Sequence, residues 1–318
     1  MSEYFTRYGF TENPFALRIL DPLQREADAQ HILIVDGFSE LEKVNNYLGP
    51  RVSSVDPKPA FVLVAGAEKS GRSSAANEIL LRSKKVNSGS NEKFVPLGLE
   101  AEDHGVLQLY RRWTSAIYSE ADSLGLGLGD EVQKAFDAIE ELKAQETLEF
   151  RLQLIMKRLI PFLKGGPARM ASCVEGVKNE KVIAAAEVVF KDFPIVCVFT
   201  VQPGSFDLAK YKKHPNVHLL ELGHLKADEV SKVVKKRWGD VSPVPFDVPT
   251  LGSFCETKKH SVGAVLTVAE RLLARRVRVY ETLKADGVWP TDNRLGFSDV
   301  ETLQSLEGAL EAVIYGDK

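Results

Sequence analysis

The chain has 318 residues, 44% of them apolar and 27% charged, with a formal net charge of -3. That is enough apolar chain for one large or two ordinary cores, which excludes a disordered tail, and no global basic field points to nucleic acid or an anionic membrane. Cys173, Cys197 and Cys255 lie far apart without a C-x-x-C pair, which argues against a zinc site or a disulfide framework and for a reducing cytosol.

The opening "MSEYFTRYGFTENPF" lacks a basic start followed by an apolar core, and no apolar run approaches the roughly 18 residues of a membrane span. A soluble, cytoplasmic protein is therefore expected. Residues 1–30 read as irregular, broken by Gly9, Pro14 and Pro22. In 39–48, Leu41, Val44 and Leu48 step at helical spacing. Residues 61–65 are continuously apolar, as strands covered on both faces tend to be. A helix over 71–84 and a strand over 94–99 follow. Residues 104–121 form an amphipathic helix with Leu107, Tyr110, Thr114 and Ile117 on one face.

After a glycine-rich hinge at 125–130, residues 130–163 read as long core-facing helix. A short strand at 168–176, a helix at 179–191 and strands at 194–201 and 216–222 complete the pattern. Strand alternates with helix five times, which specifies an open parallel α/β sheet with right-handed crossovers. From residue 226 the pattern turns purely helical, and after a Trp-Pro loop a last amphipathic helix spans 298–315.

The chemistry-bearing stretch follows the first strand: Gly66-Ala67-Glu68-Lys69-Ser70-Gly71-Arg72-Ser73, with Ser74 next. It spells the phosphate loop G-x-x-x-x-G-K-[ST] in every fixed place but one, where lysine has become Arg72. Gly66 and Gly71 allow the tight turn that converges backbone N–H groups on phosphates, and the following helix adds its positive N-terminus. Ser73 is the residue to hold Mg²⁺ through its hydroxyl, and the basic residue before it reaches the β and γ oxygens. An arginine fork fits a tight backbone cradle awkwardly, so Arg72 either serves the phosphates or points outward to a carboxylate. Binding can survive that change better than fast catalysis.

Other chemistries find little support. The histidines show no metal-ligand spacing and no G-x-S-x-G elbow is present. The basic clusters at 210–213, 232–237 and 271–278 could meet DNA phosphates, but without aromatic interleaving they read better as solvated helix faces. A small-molecule kinase would keep the loop lysine.

The order of elements resembles an AAA+ ATPase of the Cdc6/origin-recognition clade, closest in feel to bacterial relatives used in transposition and secretion-pathway assembly. The resemblance covers about residues 1–280. It is carried by "YGFTENPF", "GFSELEKVNNYL", the loop at 66–73, "PIVCVFTVQP", and "LELGHLKADEV" with "ERLLARR". It implies an α/β P-loop fold, a parallel sheet sandwiched by helices, with a smaller all-α lid. Residues 1–224 would be the nucleotide-binding domain (1–50 its N-terminal segment and first helix), 225–286 the lid, and 287–318 a C-terminal helix and tail. Adenine would lie near "YGFTENPF", with phosphates on Gly66, Ala67, Glu68, Lys69, Ser70, Gly71, Arg72, Ser73 and Ser74.

The family's third strand ends in two acids, one supporting Mg²⁺ and one activating water. The matching stretch here holds only Glu175. If Glu175 takes the catalytic place, Val174 stands where the metal's acid would be; if it takes the metal place, Gly176 stands for the base. The polar residue at the end of the next strand is Thr200 or Gln202, and the lid arginine has no counterpart in "KKHSVGAV" at 258–265. Three altered charged positions together imply a regulatory or scaffolding module that binds ATP or ADP with Mg²⁺ and hydrolyses weakly or not at all. Protein partners are implied, a homo-oligomer is admitted, and DNA is weakly supported. The alternatives are an active ATPase switch in a DNA-associated or assembly complex, and a nucleotide-free structural pseudo-ATPase.

Overall fold

A computed structural model describes residues 10–32, 40–52, 58–86, 93–97, 106–123, 168–239, 244 and 247–285, with residue 5 and isolated positions between 130 and 157. The helix expected over 130–163 falls largely outside the described residues, and that over 298–315 wholly so.

Five strands form one parallel sheet: β1 Ala60–Gly66, β2 Lys93–Leu97, β3 Ala168–Val177, β4 Ile195–Val201 and β5 Val217–Leu222, in spatial order β2-β3-β4-β1-β5. Every residue of β1 and β4 is buried, which is why both read as unbroken apolar runs. In β1, Phe61, Leu63 and Ala65 point into one core with Trp113 and Phe190, while Val62 and Val64 point into the other with Ile79 and Trp238. This two-residue alternation is the pleat distributing one strand between two layers. Each fully buried Val, Leu or Phe contributes about 1.5–3 kcal/mol. The two central strands therefore outweigh exposed ion pairs such as Lys232–Asp228, each about 0–1 kcal/mol.

Among the described residues the α-helices are α1 Glu40–Val52, α2 Arg72–Val86, α3 Val106–Ser123, α4 Glu180–Val189, the one-turn α5 Leu208–Tyr211, α6 Ala227–Trp238, α7 Val248–Thr257 and α8 Val262–Ala285. The expected α1 stripe of Leu41, Val44 and Leu48 is fully buried, and the helix runs on through Pro50. Tyr110, Thr114 and Ile117 of α3 are buried as expected, and Trp113 joins them, stacked on Phe190 at 5.7 Å.

The strand expected at 168–176 is found as β3, one residue longer, with Ser172 buried in it. The strand expected at 94–99 is described over Lys93–Leu97; among the described residues it pairs with β3 alone, and an edge position tolerates Pro96.

Helices α6, α7 and α8 share the core of α1 and α2 through residues such as Val234, Cys255 and Ala269. The N-terminal segment is pinned against them. Phe10 and Phe15 pack on Trp238 at 4.7 and 5.9 Å, and the Asn13 side-chain amide donates to Glu270 at 2.6 Å. α6 and α7 approach so closely that a Cβ on Gly252 would come within 2.6 Å of the Ala227 carbonyl. The fold thus delivers three things to one place: the end of β1, the N-terminal segment, and the ends of α6 and α8.

Candidate functional site

Gly66 ends β1 beside Leu222, and the loop folds back over it so tightly that a Cβ there would lie 2.2 Å from the Ser70 hydroxyl. The Ser70 N–H closes the turn on the Ala67 carbonyl at 3.2 Å. Lys69 and Gly71, at φ 60° and 90°, flank Ser70 in left-handed conformations. Such alternation of backbone hand turns successive N–H groups toward one concavity, the geometry of an anion nest. The first regular bond of α2 runs from the Ala75 N–H to the Gly71 carbonyl. Among the described residues no backbone carbonyl accepts from the N–H groups of Arg72, Ser73 or Ser74, so the helix presents its positive end there.

Two neighbours fix the loop. The Lys69 carbonyl accepts from the Gly263 N–H at 2.8 Å and the Ser261 hydroxyl at 3.3 Å, joining the loop to the start of α8. The Ser74 hydroxyl accepts from the Leu20 N–H at 3.0 Å, and Asn77 donates to the Leu20 carbonyl at 3.1 Å. Between these attachments lies a cavity of about 330 Å³, walled by residues 17–20, 31–32 and 69–74, by Val233 and Arg237 of α6, and by Val262, Gly263 and Leu266 of α8. Leu17 and Ile19 are 46% and 57% exposed at its rim, apolar surface open to a ring-shaped ligand.

The wall is cationic. Arg18 is paired with buried Asp28 at 2.7 Å. Burial opposes ionisation of Asp28, yet the Asp21 N–H and the Arg18 guanidinium outweigh it and hold the carboxyl below its ordinary range. Among the described residues Arg237 has no such ion pair; burial and the field of Arg18 push its pKa down against the opposing field of Asp28. Burial, Arg237 and Arg18 likewise push His31 down, so its imidazole stays neutral at pH 7, with Nδ1 buried and unpartnered among the described residues. Arg72 Nη1 is also buried with no hydrogen-bond partner. Burial lowers its pKa, while the carboxylates of Glu68 and Glu175 act in the opposite sense.

Of the residues singled out in the sequence, Lys69, Ser70, Gly71, Arg72, Ser73 and Ser74 line this cavity. Gly66, Ala67 and Glu68 shape the loop behind it, off the wall. Glu175 is exposed at the end of β3, beside a break in the β3–β4 register between Val174 and Val177. The Thr200 hydroxyl is buried and accepts from the Gly176 N–H at 2.9 Å. Gln202 is exposed at the start of a short 3-10 turn. None of these three reaches the cavity wall.

Residues 10–15 of the "YGFTENPF" stretch anchor the helices instead of facing the cavity; the next turn, Leu17–Leu20, takes that place. The reading of 232–237 as a solvated helix face holds for Lys232, Lys235 and Lys236, which are exposed, but fails for Arg237, which is drawn inward. Its signal was legible: Arg237 continues the apolar stripe of Val230, Val233 and Val234 at helical spacing. Arg18 and His31 lie in irregular chain and carry no such mark.

The donor set fits Mg²⁺ poorly. Magnesium takes hard oxygen ligands, including one or two carboxylates. Glu175 is the single carboxylate at the end of β3, and burial with the Glu175 field pushes the neighbouring Cys173 thiol up to about 12, leaving it protonated. Among the described residues no group of three or more His, Cys, Asp or Glu side chains could hold a metal ion. The three cysteines are free, as expected.

Sheet order, loop and flanking helices together make this an α/β fold with a parallel sheet and a phosphate-loop-type turn after β1. No protein-family model and no curated protein matches the sequence. Among solved structures, the chain is similar to the Aeropyrum pernix Orc1 protein in complex with DNA, with 12% identity and a TM-score of 0.46 over 88% of this chain and 66% of that one. It is also similar to C. elegans PCH-2, with 14% identity and a TM-score of 0.39 over 90% of this chain and 74% of that one. The chain thus spans just under two thirds of the Orc1 chain. Among the described residues no helix is long and apolar enough to cross a membrane.

Proposed function

We propose that the chain is a regulatory or scaffolding AAA+ module that binds ATP or ADP, hydrolyses it weakly or not at all, and acts through protein partners. The observation that supports this best is the cavity itself, in which a left-handed loop, a helix N-terminus and the cation Arg237, without an ion pair among the described residues, share a wall with exposed Leu17 and Ile19. In this reading residues 1–224 form the nucleotide-binding unit, 225–286 the lid and 287–318 a tail. The phosphates meet the N–H groups of Arg72, Ser73 and Ser74, and Arg237 approaches them from the lid, supplying the arginine that 258–265 lacks. The base lies on the apolar rim beside the neutral His31.

Hydrolysis needs a carboxylate aimed at the attacking water. Glu175 stands off the cavity wall, and the Thr200 hydroxyl is taken up by Gly176. This supports binding without turnover. One observation favours a nucleotide-free structural protein as the second reading: the Lys69–Gly263 bond already joins loop to lid by the protein's own atoms.

The test is a thermal melt with and without ATP, combined with a phosphate-release assay. Ligand at 100 times its Kd stabilises by about 2.7 kcal/mol. With an unfolding entropy of about 2.1 cal/mol/K per residue, a 318-residue chain then gains about 4 °C. A rise in Tm without phosphate release is expected. Turnover abolished by Ser73→Ala would defeat the non-hydrolysing reading, and no rise would favour the nucleotide-free one.

A further inference from the structure

The placement of Arg72 carries one more step, which rests on the nucleotide reading. Its Nη1 is buried at the cavity and donates to nothing among the described residues. A buried donor without an acceptor costs about 1–3 kcal/mol, more when charged, and an anion entering the nest removes that cost. The guanidinium stays charged under all ordinary conditions and offers planar, bidentate donors suited to phosphate oxygens. Glu175, the one carboxylate at the end of β3, acts on this guanidinium together with Glu68. Among the described residues the cavity wall offers a divalent cation the hydroxyls of Ser70, Ser73 and Ser74 and no carboxylate.

We propose that this site binds the nucleotide triphosphate without Mg²⁺, Arg72 supplying the fixed charge between phosphate and Glu175 that the metal would otherwise supply. Arg237 of α6 adds a second cation at the same cavity. Binding then depends on divalent cations far less than a lysine-bearing loop with two acids would.

The experiment is calorimetric titration of the full chain with ATP, in EDTA and in millimolar Mg²⁺, for the natural protein and for Arg72→Lys. The natural protein should give Kd values within about threefold of each other in the two buffers. Arg72→Lys should bind about tenfold or more tightly with Mg²⁺ than in EDTA, because a compact ammonium of the same charge lacks the planar fork that bridges phosphate and carboxylate. If the lysine variant does not fold, Arg72→Gln replaces it with the same expectation. A natural protein that binds more than about threefold weaker in EDTA overturns the inference and leaves the nucleotide reading standing. A variant as insensitive to Mg²⁺ as the natural protein also overturns it, by removing the role of Arg72. Binding in neither buffer ends the nucleotide reading, and this inference with it.

Discussion

Replacing Gly263 with alanine probes the joint between the loop and α8. The added Cβ would lie 2.5 Å from the Lys69 carbonyl oxygen and 2.6 Å from the Lys69 Cβ, so backbone must move. That movement breaks the 2.8 Å bond from the Gly263 N–H to the Lys69 carbonyl, worth about 1 kcal/mol. Overpacking adds about 1–3 kcal/mol, and the better helix propensity of alanine returns up to about 1. The net destabilisation is about 1–3 kcal/mol. At about 1.5 °C per kcal/mol for 318 residues, Tm falls by about 2–5 °C. Moving Lys69 out of its left-handed turn also disturbs the nest, and a tenfold loss of affinity would cut the ATP-induced rise by about half. Melting curves with and without ATP read both effects. Gly204→Ala, where an added Cβ meets nothing within 4 Å, is the control and should stay within about 0.5 kcal/mol. A Gly263→Ala protein with unchanged Tm and unchanged ATP response would refute the idea that loop and helix are coupled at this bond.

Three further outcomes are expected. Arg237→Ala should weaken ATP binding about tenfold with little change in Tm of the free protein, whereas Lys236→Ala, at an exposed neighbour, should leave affinity unchanged. Trp238→Ala removes the ring on which Phe10 and Phe15 pack; it should cost about 3–5 kcal/mol and speed proteolysis within residues 1–20. The folded carboxyl of Asp28 sits below its ordinary value of 3.8, so its contribution is complete above that pH and is lost as pH falls through the lower folded value. Urea melts from pH 6 to pH 2 should show this acid loss, and Asp28→Asn should flatten it.

Much of the fold was legible because parallel strands covered on both faces write themselves as apolar runs, as in β1 and β4. β3 was legible in its bounds although buried Ser172 and half-buried Cys173 interrupt the apolar signal; the break in its register near Glu175 was not. The loop was legible because its glycines answer local backbone needs: Gly66 lies under Ser70, and Gly71 is left-handed. The remainder of the cavity was not. The inward turn of Arg237 alone had a local mark, on the apolar stripe of α6; its meeting with Arg18, His31 and Gly263, through packing on Trp238 and on the Lys69 carbonyl, is encoded by no local spacing. Lys69 hides its role further, because a lysine gives no sign in sequence that its backbone is left-handed.

An experimental structure of the full chain with ATP measures the central claim most directly. Triphosphate density against the N–H groups of Arg72, Ser73 and Ser74, with the Arg237 guanidinium within hydrogen-bond reach and the γ-phosphate intact, is the expected result. A loop closed by its own side chains at saturating ATP, or ADP found where ATP was supplied, would contradict it.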